Sequence, residues 1–235
     1  MTNPNTFENP DEYSSNWDWC VKHSQYHFDD SRHDHRGDWF RVLGRFVGDW
    51  SSEVEQIKQH TKPITWATRK FYGDSDDVSP MLRQEEYDLE QTGAGRDLVL
   101  TDMTDDIDQF PTLKKIADYF GVVDAKKRIH MQYPGQMFNL HIDKLWDRYP
   151  EDPSKVVRIT ILLEDWKPGQ FYLYGTHTYS HWQAGEVHIF DWPNVPHATA
   201  NTSRFARPTI QITGLKSDRT EELLNRATPQ SQYVV

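Results

Sequence analysis

From residue 128 to 214 the chain alternates polar and apolar positions with a period of two, broken at short intervals by turn residues. "RIHMQY" stops at Pro134-Gly135, and "QMFNLHI" follows it. "KVVRITILL" is long and β-branched and ends in the acidic "EDW". "QFYLYG" ends at a glycine, and Gly185 separates "HTYSHW" from "EVHIF". "HATANT" and "RPTIQITG" close the series. Successive side chains of a strand point to opposite faces, so each run reads as a strand. Eight such runs, with turn signals between most of them, predict an antiparallel sandwich or barrel.

Upstream, the period is different. "DWFRVLGRFVGDWSSEVEQIKQH" places Phe40, Val42, Leu43, Phe46 and Val47 at the spacing of a helix face. "FPTLKKIADYFG" puts Pro111 at a helix start, Leu113, Ile116 and Phe120 on one face, and Gly121 at the stop. "YGDSDDVSP" and "LEQTGAGRD" read as loops. The expected class is mainly β with α, with the helical part packed on one sheet.

Composition narrows the partners. The 26 basic and 36 acidic residues give a net charge of −10, which argues against non-specific binding to nucleic acid or an anionic membrane. One cysteine, Cys20, allows no intramolecular disulfide and no cysteine-rich zinc site. No segment approaches the ~18 apolar residues of a membrane span, and the polar start lacks a secretory pattern. A soluble cytoplasmic protein is the expectation.

The candidate chemistry lies on the predicted strands. His141 and Asp143 fall at the end of the second strand, and His197 opens the seventh. Arg207 opens the eighth, and Thr209, two residues on, shares its face. In an eight-strand double-stranded barrel the ends of strands two and seven meet at one mouth. Two imidazoles and one carboxylate on one side of a metal leave open positions, a set that suits non-haem Fe(II) and its oxygen chemistry. A nearby arginine suits a dicarboxylic co-substrate, because its planar fork binds two oxygens at once.

On these residues the chain resembles the Fe(II)- and 2-oxoglutarate-dependent dioxygenases, from about residue 128 to 214. "QYPGQ" and "LLEDW" are similar to the prolyl hydroxylase branch, and "FDWPNVPHATANTS…RPTIQI" to the aspartyl/asparaginyl β-hydroxylase branch. Thr160 stands where the second branch has histidine, and Ile161 where the first often has tyrosine. The resemblance implies a double-stranded β-helix (jelly roll, cupin-like) core at 127–215. A helical and loop part at 1–126 and a tail at 216–235 would complete a single domain. It implies His141, Asp143 and His197 as Fe(II) ligands, with 2-oxoglutarate and O2 as co-substrates. Arg207, Thr209, Tyr133 and Arg158 are the implied co-substrate residues. The implied reaction is hydroxylation of an unactivated C–H bond, most readily on an amino-acid side chain in a protein, a peptide or the free amino acid.

Other features carry alternatives. Arg158 reads either as a carboxylate binder or as half of a structural ion pair. His23, His27, His33 and His35 read as a solvated turn or a second metal site. Leu145, Trp146 and Arg148 follow the His141/Asp143 pair in a long loop and are expected to select substrate. Trp182 and Trp192 read as core or pocket, and His177 and His181 as rim. The competing functions are a cupin-like barrel with another metal and no 2-oxoglutarate, and a non-catalytic sensor. A halogenase is disfavoured, because Asp143 fills the place that halide would need.

Overall fold

The computed structural model describes Phe28 and residues 39–60, 102–104, 107–142 and 153–235. All eight predicted strands form. They are β3 (Val123–Gln132), β4 (Met137–His141), β5 (Val156–Leu162), β6 (Gln170–Tyr174), β7 (His177–Tyr179), β8 (Glu186–Phe190), β9 (His197–Asn201) and β10 (Arg207–Leu215). Three more strands are β1 (Phe40–Val47), β2 (Asp102–Thr104) and β11 (Gln232–Val234). The helices are α1 (Ser51–His60), α2 (Pro111–Asp118) and α3 (Asp218–Arg226).

The strands build two sheets. The larger has the order β11-β1-β8-β5-β10-β3-β2, and the smaller β4-β9-β6-β7. Within the eight-strand core the chain crosses from one sheet to the other at every connection except the β6–β7 hairpin. That crossing pattern makes a double-stranded β-helix of the jelly roll type.

The two faces of the larger sheet differ in chemistry. Ile129, Met131, Ile159, Ile161, Ile210 and Ile212 point outward into one core, with Val54 and Ile57 of α1 and Leu113 and Ile116 of α2. Each fully buried side chain of this size stabilises by roughly 1.5–3 kcal/mol. A second apolar cluster between the sheets includes Leu162, Tyr172, Tyr174, Trp182 and Phe190. The rest of the larger sheet's inner face is polar, and it carries the site.

The helix expected around Phe40–Val47 is corrected: this segment is β1, antiparallel to β8. Its register shifts between Val42 and Gly44, so two residues oppose one. The bulge places Leu43 and Phe46 in the same outer core although they are three apart. A bulged strand therefore copied a helical spacing. The expected tail at 216–235 also holds structure. Ser217 caps α3 by accepting from the Thr220 amide, and β11 joins β1 in parallel.

The α2 start was legible at Pro111, but its cap was not. Phe110 offers no side-chain cap. Instead the Glu53 carboxylate of α1 accepts from the amides of Thr112 and Leu113, both at 2.9 Å. One acidic side chain thus ties two helices together and meets the positive end of the α2 dipole.

Candidate active site

Cross-strand register sorts the inner face of the larger sheet into rows. Gln132 lies beside Arg207, and the next row is His130, Thr209 and Leu162. Arg128, Gln211 and Thr160 form the third row, and Lys126, Thr213 and Arg158 the fourth. Polar groups on a buried sheet face cost stability unless they are partnered. This face gathers hydrogen-bonding and cationic side chains around one space. It lines a cavity of about 160 Å³, shared with His141, His197, Tyr172 and Phe190.

His141 ends β4 and His197 begins β9, and they are register partners with ring centroids 4.2 Å apart. The inward aim of His141 depends on a second bulge. The β4–β9 register shifts between Phe138 and His141, where three steps on β4 match two on β9. A regular strand would send these two residues to opposite faces; the extra residue lets both line the cavity. Phe138 lies against the His141 ring at 4.8 Å, and Phe190 edges onto His197 at 4.6 Å.

The Nδ1 of His197 lies 3.2 Å from the Val195 carbonyl, which can only accept. Nδ1 is therefore the donor in this contact, and in the neutral ring Nε2 would carry the lone pair, the tautomer a metal ligand needs. Asp143, the expected third ligand, lies outside the described residues, as do Leu145, Trp146, Arg148 and the four histidines His23, His27, His33 and His35.

Arg207 is 4% exposed. Its Nη1 donates to the Phe171 carbonyl at 3.1 Å, and its Nη2 to the Thr199 hydroxyl. Its guanidinium carbon sits 4.1 Å from the centre of the Tyr172 ring, so the π face offsets part of the buried charge. Burial pulls its pKa down from the usual arginine value, and the neighbouring tyrosines oppose that shift. Its Nε finds no acceptor, and no carboxylate pairs with it among the described residues. A buried cation with an open donor is a place for an anion to bind.

Thr209 lines the same cavity, and its hydroxyl donates to the His130 carbonyl at 3.4 Å. Arg158 lines it from the opposite end, with Nε donating to the Thr213 hydroxyl at 3.2 Å. Tyr133 does not join them. Inward positions of β3 are 128, 130 and 132, so Tyr133 follows the outward phase, packs on the outer core and donates to the Lys58 carbonyl at 3.3 Å.

Trp182 and Trp192 are core, their indoles donating to the carbonyls of Glu164 and Val156. His177 and His181 are exposed, and neither lines the cavity. His188 is fully buried, with Nε2 2.7 Å from the Tyr174 hydroxyl and Nδ1 unpartnered among the described residues. Burial, then the Arg207 charge, pushes its pKa down to about 3, so it is neutral at ordinary pH.

Sequence reasoning passed over Arg128, Gln211, Tyr172 and Tyr174 as site residues. Two of them had a signal. Gln211 is in phase with Arg207 and Thr209, and Arg128 with His130, so period two alone puts each on the inner face.

No protein-family profile matches the chain, and no curated protein matches it. Solved structures do, at low identity. The non-heme alpha ketoglutarate dependent epimerase SnoN from nogalamycin biosynthesis is 12% identical, with 84% of this chain and 90% of that one covered and a TM-score of 0.49. The carbocyclase SnoK, also described as non-heme alpha ketoglutarate dependent and from nogalamycin biosynthesis, is 14% identical over 87% and 95%, with a TM-score of 0.47. A Pseudomonas putida prolyl-4-hydroxylase is 14% identical over 76% and 94%, with a TM-score of 0.43. These likenesses are in strand arrangement, and the chemistry of this site has to come from its own residues.

Proposed function

We propose that this protein is an Fe(II)- and 2-oxoglutarate-dependent dioxygenase. Its reaction is hydroxylation of an unactivated C–H bond on an amino-acid side chain, in a protein, a peptide or the free amino acid. One observation carries the reading: two opposed imidazoles share a cavity with a buried guanidinium that has no carboxylate partner among the described residues.

The described residues supply two of the three donors, His141 and His197, and Asp143 of the sequence would supply the third. His141, His197 and Asp143 would hold the metal, a donor set of two nitrogens and one carboxylate that suits non-haem Fe(II). With Fe(II), 2-oxoglutarate and O2 bound, the centre supplies oxidation of C–H to C–OH, coupled to release of succinate and CO2.

The chain's own groups bind, orient and exclude. The Val195 carbonyl keeps the proton on His197 Nδ1. Arg207 meets the distal carboxylate of the co-substrate, with Thr209 beside it in the cavity. Its carbonyl and hydroxyl partners hold the guanidinium plane before the anion arrives, so little ordering is left to do on binding. Phe138, Phe190 and Tyr174 wall the histidines and keep water from the reacting bond.

The test is anaerobic titration of the metal-free protein with Fe(II) and then 2-oxoglutarate, following the weak visible charge-transfer band of the bidentate complex. A band in the parent and none in His141→Ala supports the reading. Iron bound with no band on adding 2-oxoglutarate favours a cupin-like metal barrel instead.

A further inference from the structure

We infer that Thr199 is a positioning residue that holds Arg207 at a fixed span from the two histidines, and that this span selects a five-carbon 2-oxo diacid over its shorter and longer homologues. The inference deepens the function proposed above and rests on it.

The span is written into one strand. His197 and Thr199 lie two residues apart on β9, on the same face, and both line the cavity. On one side of β9, His197 is paired with His141 and Thr199 with Phe138. On the other side, His197 is paired with Tyr174 and Thr199 with Tyr172. The inner face of the smaller sheet is therefore two rows, one holding the histidines and one holding Thr199. Two residues of strand separate the rows, about 6.6 Å at ~3.3 Å per residue. Tyr174 and Tyr172, one from each row, stack 5.7 Å apart with an interplanar angle of 6°, which repeats that spacing.

Arg207 belongs to the opposite sheet, yet it is tied to the second row. Its Nη2 donates to the Thr199 hydroxyl. Its Nη1 donates to the Phe171 carbonyl at 3.1 Å, with the Ala200 carbonyl at 3.5 Å. The Thr199 hydroxyl has one proton, and the nearer acceptor for it is the same Phe171 carbonyl, at 2.9 Å against 3.4 Å for the Gln132 side chain. Its lone pairs are then left for the guanidinium. Arg207, Thr199 and Phe171 close a hydrogen-bonded ring that fixes the guanidinium at two corners. The Tyr172 ring, from the same row, lies under the guanidinium face at 4.1 Å. Nε, which has no acceptor among the described residues, stays open as a donor.

The ligand chemistry follows from the spacing. A 2-oxo diacid held by the histidine row at one end and Arg207 at the other has to bridge one row step. A backbone carbonyl and a β-branched side chain give the guanidinium little freedom to follow a ligand of another length. A four-carbon diacid gives up one of its two ends, and a six-carbon diacid has to fold between them. Without the Thr199 hydroxyl, Nη2 loses its acceptor in a buried place, and the guanidinium turns to find another. The span then slackens, so discrimination by length is lost while the histidines are untouched.

The experiment measures affinities without O2, by calorimetry and by the visible charge-transfer band, on the full chain loaded with Fe(II). The probes are 2-oxoglutarate, freshly dissolved oxaloacetate, 2-oxoadipate and pyruvate, the last having the metal-binding end and no distal carboxylate. The parent should bind 2-oxoglutarate at least ten-fold tighter than each of the others. Thr199→Val is nearly isosteric and removes the hydroxyl. It should bind 2-oxoglutarate at least ten-fold more weakly and prefer it over oxaloacetate and 2-oxoadipate by less than three-fold. Its affinities for pyruvate and Fe(II) should stay within two-fold of the parent. Thr199→Ser, which keeps the hydroxyl, should restore 2-oxoglutarate binding to within three-fold.

A parent that takes oxaloacetate or 2-oxoadipate as tightly as 2-oxoglutarate overturns the proposal, whatever the variants do. So does a folded Thr199→Val protein with the parent's preferences, or one that loses pyruvate along with 2-oxoglutarate. In each of these cases 2-oxoglutarate still binds the parent, and the dioxygenase reading stands. Iron bound with no complex formed by any of the 2-oxo acids removes both.

Discussion

His141 and His197 are register partners across the β4–β9 ladder, and their ring centroids lie 4.2 Å apart. His197 reaches this position by plain alternation along β9, two residues from Thr199, whereas the β4 bulge is what turns His141 inward. Removing either imidazole should lower Fe(II) affinity by more than the ~10–100-fold that loss of an outer hydrogen-bond partner costs. The metal-free fold should survive, since both rings sit at strand ends. Iron retention after dialysis, alongside a melting curve, checks both halves. Full iron occupancy in folded His141→Ala would remove His141 from the metal site.

Arg207→Met should separate binding from stability. The substitution keeps apolar volume over Tyr172 and removes a buried charge that has no carboxylate partner among the described residues. Replacing a buried charge by a well-packed apolar group is often neutral or stabilising. The expected outcome is an unchanged or higher Tm with 2-oxoglutarate affinity reduced at least ten-fold. A variant that binds 2-oxoglutarate like the parent would place the co-substrate elsewhere.

His188 predicts a pH dependence of stability. Burial pushes its folded pKa down to about 3, from the ordinary histidine value of 6.5. Between these values the unfolded chain holds the proton and the folded chain does not, so stability rises with pH across that window. This contribution is complete above about 6.5 and is lost as pH falls toward 3, at up to ~1.4 kcal/mol per unit for one proton. The stability difference between the parent and His188→Phe should therefore shift against the parent from pH 7 to pH 4, in urea denaturation at both. A constant difference would mean that His188 binds its proton as readily in the fold as in the unfolded chain.

Glu53→Ala should weaken the helical layer at a distance from the substitution. It strips the acceptor from two α2 amides, and a hydrogen bond to a charged group contributes roughly 1.5–3 kcal/mol. Glu53→Gln, which keeps one acceptor oxygen, should lose less. Urea midpoints of the two variants against the parent decide. Equal midpoints for all three would mean that water caps α2 equally well.

The amino-acid pattern determined the parts of this protein that are local. Period two located eight strands, because the pleat repeats over two residues whatever the neighbouring strand does. Pro111 marked the α2 start, because its fixed φ and missing amide suit a first turn. His141, Asp143, His197 and Arg207 stood out as candidates because few residue types bind iron or a dicarboxylate; the structure brings His141, His197 and Arg207 to one cavity, and Asp143 lies outside the described residues.

Tertiary structure decided what depends on pairing. A bulge exists only between two strands, so sequence could not show that β1 is a shifted strand rather than a helix, nor that His141 joins Phe138 in the cavity. Register between β3, β10 and β5 put Arg128 and Arg158 on either side of Gln211, from positions far apart in the chain. The same register left Tyr133 on the outer face, away from the co-substrate role that its neighbours in sequence implied. Which side chains meet is set by alignment between strands, and only packing of the whole chain fixes that alignment.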